Sequence, residues 1–321
     1  MAVESSSIAS VTLSPALDEA IAIDELLLGD TNRCSLDGLD PGGKGINASR
    51  VIHRLGRKTV AYGFLGGSTG QLLRERLQAE GLALDFDEVA QPTRLNIMVY
   101  ERDRHRRTRL YLPGACVLPA QAATLRERLM KLEPGSLVIF GGSVPPGLPE
   151  TIYHEFVLAL RERGILSIVD TSGAALKAVL AAKPLLIKPD VEEAEALLNR
   201  RLLDDAAVLS AAEEIRRLGP EHVVISQGAA GAIGVGPDGA WKLIPPAITA
   251  SSTVGSGDSM VAGLAVALNE GSGFVEGLRL GTATGAATAM VSGTQLCEPQ
   301  AVLRLLPDVV VRTLNPVETR T

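Results

Sequence analysis

Apolar residues are laid out along this chain in two alternating patterns. Short, nearly continuous β-rich runs at residues 10–13, 59–65, 136–140, 165–170, 185–188 and 222–226 predict buried strands. Between them, helical periodicity predicts helices over 46–55, 70–79, 125–132, 150–163, 191–199 and 206–218, with two more in succession at 259–269 and 275–290. Strands apolar on both faces and separated by helix-length segments predict an α/β fold. Its sheet is mainly parallel, with helices on both faces and ligands at the carboxyl ends of the strands. Two stretches break the alternation. Residues 21–40 are acidic and turn-rich, and residues 93–112 give extended runs at 95–100 and 108–112 around a polar turn at 101–107. Both read as antiparallel strands. They predict a small β-sheet lid, formed by about residues 19–40 and 93–112, over the sheet of a single domain spanning 1–321. Residues 312–321 read as a loosely held C-terminal tail.

Composition narrows the chemistry. The chain holds 33 glycines against 5 Phe, 4 Tyr and 1 Trp, so the core is built from aliphatic residues and the glycines need a positional explanation. Few aromatics leave few platforms for stacking bases, and a net charge of -6 argues against affinity for polyanions; no nucleic-acid partner is expected. The N-terminal residues lack a signal-peptide pattern and no apolar run is long enough to span a bilayer, so no membrane partner is expected either. Cys34, Cys116 and Cys297 are far apart and lack metal-binding spacing, which reads as reduced thiols and a cytoplasmic location.

The most informative segment is Ser252-Thr253-Val254-Gly255-Ser256-Gly257-Asp258, which leads into a helix. Small residues let backbone amides at a helix N-terminus approach an anion closely. A carboxylate beside a bound phosphate is repelled unless it has a task. Asp258 suits the task of general base, taking a proton from an alcohol while the Gly255, Ser256 and Gly257 amides form an anion hole for a transferring phosphoryl group. A loop whose Asp merely caps a helix is the structural alternative.

A second glycine segment, Pro41-Gly42-Gly43-Lys44-Gly45-Ile46-Asn47, also precedes a helix. Residues 38–44 superficially fit a P-loop, but Gly45 stands where Ser or Thr must reach magnesium, and no strand leads in; a Walker site is rejected. It reads as a backbone cradle for a polar ligand, with Lys44 and Asn47 as side-chain contacts, or as a tight turn. In Lys188-Pro189-Asp190-Val191-Glu192-Glu193, Asp190 and Glu193 share one face of a first helical turn. They could hold Mg2+ through water, or act only as an N-cap pair. The basic run from Arg102 to Arg109 reads as a solvated hairpin, and four scattered histidines carry no site.

In order and over nearly the whole chain, these segments resemble the ribokinase-like, or PfkB, sugar kinases: the opening Thr12-Leu13-Ser14-Pro15-Ala16-Leu17-Asp18, PGGKGIN at 41–47, GGSVPPG at 141–147, IKPDVEE at 187–193 and STVGSGDSMV at 252–261. The opening and the GDSM sequence are similar to the branch that phosphorylates sugar phosphates. Leu112-Pro113-Gly114-Ala115, Thr171-Ser172-Gly173 and residues 292–297 look most like the minor bacterial type of 6-phosphofructokinase, whereas Lys44 points towards 1-phosphofructokinases and tagatose-6-phosphate kinases.

The resemblance implies a ribokinase-like, Rossmann-like three-layer α/β/α domain whose β-sheet lid forms a homodimer, acting on ATP and a phosphorylated ketohexose. It implies Asp258 as the base, with Asp18, Gly43, Asn47, Arg94 and Ser143 holding the sugar and Arg33 and Lys44 near its existing phosphate. Lys188, Asp190, Ser226 and Gly228 would border ATP; Asp190 and Glu193 would occupy the magnesium-linked NxxE motif; the backbone at Ser252, Val254 and Gly293 would match a potassium site. The acceptor so implied is fructose 6-phosphate, with fructose 1-phosphate and tagatose 6-phosphate as alternatives. One departure stands out: Asp190 replaces the family's Asn, the sole feature favouring a catalytically silent sugar-phosphate sensor on the same fold.

Overall fold

The computed structural model describes residues 7–314. Its elements run β1 (Ile8–Thr12), β2 (Ala16–Ile23), β3 (Ser35–Gly42), α1 (Lys44–Arg54), β4 (Thr59–Leu65), α2 (Gly67–Ala79), β5 (Ala83–Glu88), β6 (Arg94–Glu101), β7 (Arg106–Tyr111), α3 (Pro119–Leu129), β8 (Leu137–Gly141), α4 (Ile152–Glu162), β9 (Leu166–Asp170), α5 (Gly173–Val179), β10 (Leu186–Ile187), α6 (Val191–Leu198), α7 (Asp205–Arg217), β11 (His222–Ser226), β12 (Ala232–Gly236), β13 (Gly239–Ile244), α8 (Ser256–Asn269), α9 (Phe274–Ala289), α10 (Pro299–Leu305) and β14 (Val310–Leu314). The main sheet has the order β14-β13-β12-β11-β10-β9-β8-β1-β4-β5. From β11 to β5 every pairing is parallel, while β12, β13 and β14 add an antiparallel edge.

Both faces of the parallel strands are covered, which is why they read as continuous apolar runs. On β8, Val138 and Phe140 pack with Tyr153 and Phe156 of α4, while Leu137 and Ile139 face the opposite core with Val51 of α1 and Leu264 of α8. Phe140 meets Tyr153 and Phe156 with ring centroids 5.7 and 5.9 Å apart. A third, smaller cluster seats Leu73 and Leu77 of α2 on Leu65 and Phe86.

The lid is a separate sheet of order β3-β2-β6-β7. It begins at Ala16, earlier than expected, and its central pair, β2 with β6, is parallel and not antiparallel. The reason is topological: β2 follows β1 and β6 follows β5, so both leave the carboxyl rim of the parallel sheet in the same direction. The β2–β3 and β6–β7 pairs are antiparallel as expected. The basic hairpin is occupied internally: Arg102 pairs with Asp24, Arg104 with Glu25, and Arg106 with the buried Glu101.

The expected tail is corrected in part. Residues 312–314 belong to β14, where Val311 pairs with Leu243 and Leu314 with Ala240; residues 315–321 lie outside the described residues. The expected helix at 125–132 instead runs from Pro119, whose missing amide and fixed φ suit a first helical position. Strands β5, β12 and β13 and helices α5 and α10 were not expected. No helix among the described residues is long and apolar enough to cross a membrane.

Helix α8 is held by close backbone approach to α9. A Cβ on Gly263 would lie 2.7 Å from the Gly281 amide nitrogen, whereas one on Gly277 would make only ordinary contacts, the nearest at 3.5 Å. Gly263→Ala is therefore expected to destabilise by on the order of 1–3 kcal/mol through overpacking. Gly277→Ala should be neutral or stabilise by up to ~1 kcal/mol through helix propensity. Thermal unfolding of the two variants checks this; equal midpoints would show that the α8–α9 contact tolerates side chains.

Candidate active site

The first turn of α1 sits directly on the ends of two strands. Thr12 Oγ1, at the end of β1, accepts the Ile46 amide at 2.9 Å. Gly45 and Gly141 allow this approach: a Cβ on Gly45 would lie 2.6 Å from Thr12 Oγ1, and one on Gly141 2.5 Å from the Gly45 amide nitrogen. The turn thereby delivers Lys44 to the end of β9, where its Nζ donates to Asp170 Oδ1 at 2.8 Å and lies 3.7 Å from Glu193 Oε1. Lys188, following β10, is buried with its Nζ 3.6 Å from Asp170 Oδ2. Burial alone would push the Asp170 carboxyl up, but Lys188 and Lys44 outweigh it and hold that carboxyl below its ordinary range. Burial likewise opposes the Lys44 charge, yet Asp170, Glu193 and Asp258 hold its ammonium above the ordinary lysine value.

Asp258 enters the same group from the first turn of α8. Gly255 caps that helix in the left-handed region, with φ 76°. The first-turn amides of α8 are among the donors that a helix leaves without an internal acceptor. Asn47, one turn into α1, donates its Nδ2 to Asp258 Oδ2 at 2.8 Å. Burial drives the Asp258 carboxyl up to about 6, reinforced by Asp170 and opposed by Lys44, the Asn47 hydrogen bond and Lys188.

The lid supplies a second carboxylate. Asp18 on β2 is buried against the cradle, since a Cβ on Gly42 would lie 2.3 Å from its Oδ2. Asn96 on β6 donates to Asp18 Oδ1 at 2.7 Å. Burial raises the Asp18 carboxyl to about 6; the Asn96 hydrogen bond opposes this and the Asp258 charge adds to it. Arg94, also on β6, donates to the Leu112 and Ser14 carbonyls at 3.2 and 3.1 Å. Gly43 leads into α1 at φ 124°, a backbone setting that a side chain would strain.

Other expected residues fall on the same rim. Ser226 ends β11 and bridges Asp190, Gly228 begins an open turn at φ 59°, and Ser143 is exposed on the loop after β8. Ser252 Oγ donates to the Gly293 carbonyl at 2.7 Å and accepts the Val254 amide at 3.3 Å, so the three residues of the expected potassium site do meet. Asp190 and Glu193 form a reciprocal capping box: Asp190 Oδ1 accepts the Glu193 amide at 2.8 Å, and Glu193 Oε2 accepts the Asp190 amide at 2.9 Å.

The two residues expected near the sugar's existing phosphate are placed differently from each other. Lys44 was expected near the sugar's existing phosphate, whereas its ammonium is engaged by Asp170 and Glu193. Arg33 is exposed on the loop before β3, with no hydrogen-bond or ion-pair partner among the described residues. Sequence reasoning also missed Asp170, Asn96 and Thr12. The available signal for Asp170 was an acidic residue ending a predicted buried strand at the ligand-binding rim.

Among the described residues, five of the eight buried side-chain polar atoms without a hydrogen-bond partner lie here: Asn47 Oδ1, Asp170 Oδ2, Ser256 Oγ, Arg94 Nε and Asn96 Oδ1. Buried polar groups are normally paired, so this concentration fits a polar ligand offering both donors and acceptors. Among the described residues, no three His, Cys, Asp or Glu side chains are grouped to hold a metal ion directly. Hard oxygen donors at Asp170, Asp190 and Glu193 suit magnesium that keeps its waters and is carried by a ligand's phosphates.

The profile of the pfkB family carbohydrate kinases matches residues 11–301. The chain is 36% identical over 290 residues to the ATP-dependent 6-phosphofructokinase isozyme 2 of Escherichia coli K12, covering 90% of this chain and 94% of that protein. It is 33% identical over 306 residues to the 1-phosphofructokinase of Borreliella burgdorferi, covering 95% and 98%. The crystal structure of Escherichia coli phosphofructokinase-2 in complex with potassium superposes with a TM-score of 0.90 at 34% identity, covering 94% of this chain and 99% of that one. An Arabidopsis thaliana ribokinase, at 22% identity and a TM-score of 0.79, shares the fold. The resemblance read from five ordered motifs thus extends through the three-dimensional structure, and the chain belongs to the pfkB family of carbohydrate kinases, ATP-dependent enzymes among which its relatives are phosphofructokinases.

Proposed function

We propose that this protein is a 6-phosphofructokinase that transfers the γ-phosphoryl group of ATP to the 1-hydroxyl of fructose 6-phosphate. The observation that carries the reading is Asp258. It is a buried carboxylate, raised to about 6, at the N-terminus of α8 and within hydrogen-bonding reach of Asn47. A base in that range is ionised at neutral pH yet basic enough to take an alcohol proton. Asp258 accepts the proton as the sugar oxygen forms its bond to the γ-phosphorus, and the bond to the β–γ bridging oxygen breaks with its electron pair leaving on ADP. The Gly255–Gly257 segment and Lys188 stabilise charge on the transferring group.

Asp18, Gly43, Asn47, Arg94 and Ser143 bind and orient the sugar, with Arg33 brought to its phosphate from the lid. Lys188, Ser226 and Gly228 border ATP. Asp170, Asp190 and Glu193 hold magnesium through water; when bound, the ion neutralises phosphate charge. Asp190 keeps an oxygen acceptor where the family has Asn, which suits retained metal binding. Ser252, Val254 and Gly293 supply backbone oxygens for potassium, a cation named with the Escherichia coli structure. Leu36, Leu110, Tyr111 and Leu112 leave the lid with an exposed apolar surface, which supports a homodimer formed through it. A monomeric mass by light scattering at micromolar concentration would exclude that assembly.

Fructose 1-phosphate is the second reading, favoured by the relatives named 1-phosphofructokinase. Lys44, the feature shared with that group, is engaged by Asp170 and Glu193, which weakens it as an argument about the acceptor. Coupled ADP-release assays with fructose 6-phosphate, fructose 1-phosphate and tagatose 6-phosphate, with and without potassium, test the assignment. The highest kcat/KM is expected with fructose 6-phosphate, and turnover with none of the three would mark a silent sensor.

Asp258→Asn is expected to lower kcat by ~10² to 10⁴, with little change in KM for ATP. The same variant should be more stable than the parent at pH 8. The carboxyl titrates near 6 in the folded protein against 3.8 as an unperturbed group, so its ionised form costs the native state above pH 6. The gain, on the order of 1–3 kcal/mol, should fade as pH falls from 6 towards 4. Near-normal turnover, or lower stability at pH 8, would refute the role.

With Asp258 and Asp18 both raised to about 6 and both required as carboxylates, kcat/KM should fall as pH drops below about 6. Because both protons must be lost, the acid limb should become steeper than one proton allows, while repulsion between the two charges spreads the two steps apart. A flat profile down to pH 5 would count against both assignments.

A further inference from the structure

Lys242 is a buried lysine in the middle of β13, on a strand whose neighbours Ala240 and Leu243 are core residues. Its ammonium is delivered to two acceptors, Asp205 Oδ1 and Gln227 Oε1, each at 2.7 Å. Gln227 closes the ring by donating its Nε2 to Asp205 Oδ1 at 2.9 Å. Burial would raise the Asp205 carboxyl, but the Lys242 and Gln227 hydrogen bonds hold it below its ordinary value. Three elements are thus joined at one point: the N-terminus of α7, the end of β11 and the middle of β13.

Gln227 is the first residue of the turn that carries Gly228. Its amide donates to the Gly231 carbonyl at 2.8 Å, and the Gly231 amide donates to the Gly228 carbonyl at 3.0 Å, so the turn is closed on itself. The far end abuts β13, where a Cβ on Gly231 would lie 1.8 Å from the Leu243 carbonyl oxygen. At the near end, Ser226 hydrogen-bonds the Pro189 carbonyl and bridges Asp190. Residues 228–230 are exposed, and no atom would meet a Cβ on Gly228 within 4 Å. A compact turn fixed at both ends and open at its tip is suited to presenting backbone groups to a ligand. Its Gln227 end is set by side chains lying behind it.

We propose that Lys242, Asp205 and Gln227 are positioning residues that orient the 227–231 turn for the phosphates of ATP, acting on nucleotide affinity and not on the sugar or the chemical step. This rests on the ATP reading of the Ser226–Gly228 segment. Gln227→Leu keeps the size of the side chain and removes both of its hydrogen bonds. It should raise the KM for ATP about tenfold while leaving the KM for the sugar phosphate and kcat nearly unchanged. Lys242→Met should act in the same direction. Asp205→Asn, whose amide oxygen still accepts both hydrogen bonds, should remain close to the parent, whereas Asp205→Leu should match Gln227→Leu.

Steady-state kinetics on both substrates, thermal midpoints and calorimetric titration with Mg-ATP read these effects together. An unchanged KM for ATP in Gln227→Leu overturns the proposal. So does a parallel rise in both KM values with a lowered midpoint, which would make the ring merely structural. Absence of ATP binding by the unaltered protein would instead overturn the kinase reading itself, and this proposal with it.

Discussion

A buried carboxylate between two ammonium groups organises this end of the molecule. Asp170 is almost fully inaccessible, and leaving its charge unpaired there would cost several kcal/mol. Lys44 and Lys188 supply the compensation, and each comes from a different element: the start of α1 and the segment between β10 and α6. Ion pairs of this kind contribute little net stability, because desolvation offsets attraction. What they set is position. Three strand-to-helix connections are brought to one point, with Asp258 added from α8 through Asn47.

The same low-polarity surroundings act differently on acids with and without a cation in contact. Asp170, touching Lys44 and near Lys188, is held low, while Asp258 and Asp18, each fixed chiefly by an asparagine amide, are pushed to about 6. A neutral amide orients a carboxylate while doing less than a cation to stabilise its charge, which leaves it basic. The asymmetry separates a charged anchor from two carboxyls raised to about 6 without any histidine beside them.

Backbone packing makes the ion group possible. Gly45 and Gly141 bring α1 into contact with β1 and β8, and Gly263 and Gly281 bring α8 against α9. The lid then touches the rim at separate points: Arg94 on the Ser14 carbonyl, Arg107 on the Ser251 carbonyl, and Asp40 on Thr294. Two of these contacts land on the loops that hold Ser252 and Gly293, so the lid and the loop before α8 are mechanically joined within one chain.

The sequence by itself determined the parallel core and the backbone of the site. Strands such as β8 are apolar at every position because Leu137 and Val138 face opposite cores, and that pattern is local. The glycines at 42, 43, 45, 255 and 257 marked through spacing alone the two loops that lead into α1 and α8, and those at 42, 43 and 45 do lie against Asp18 and Thr12. The antiparallel edge was hidden: β12 is buried but interrupted by glycines at 234 and 236, and β14 is partly exposed, so neither shows a continuous apolar run in the sequence. Tertiary structure alone decided the direction of β2 against β6, since that depends on both strands leaving the same rim. It also decided the partners of the charged groups. Lys44 and Asp170 are 126 residues apart and Asn47 and Asp258 211 apart, and nothing in a local pattern specifies which distant carboxylate an ammonium or amide will meet.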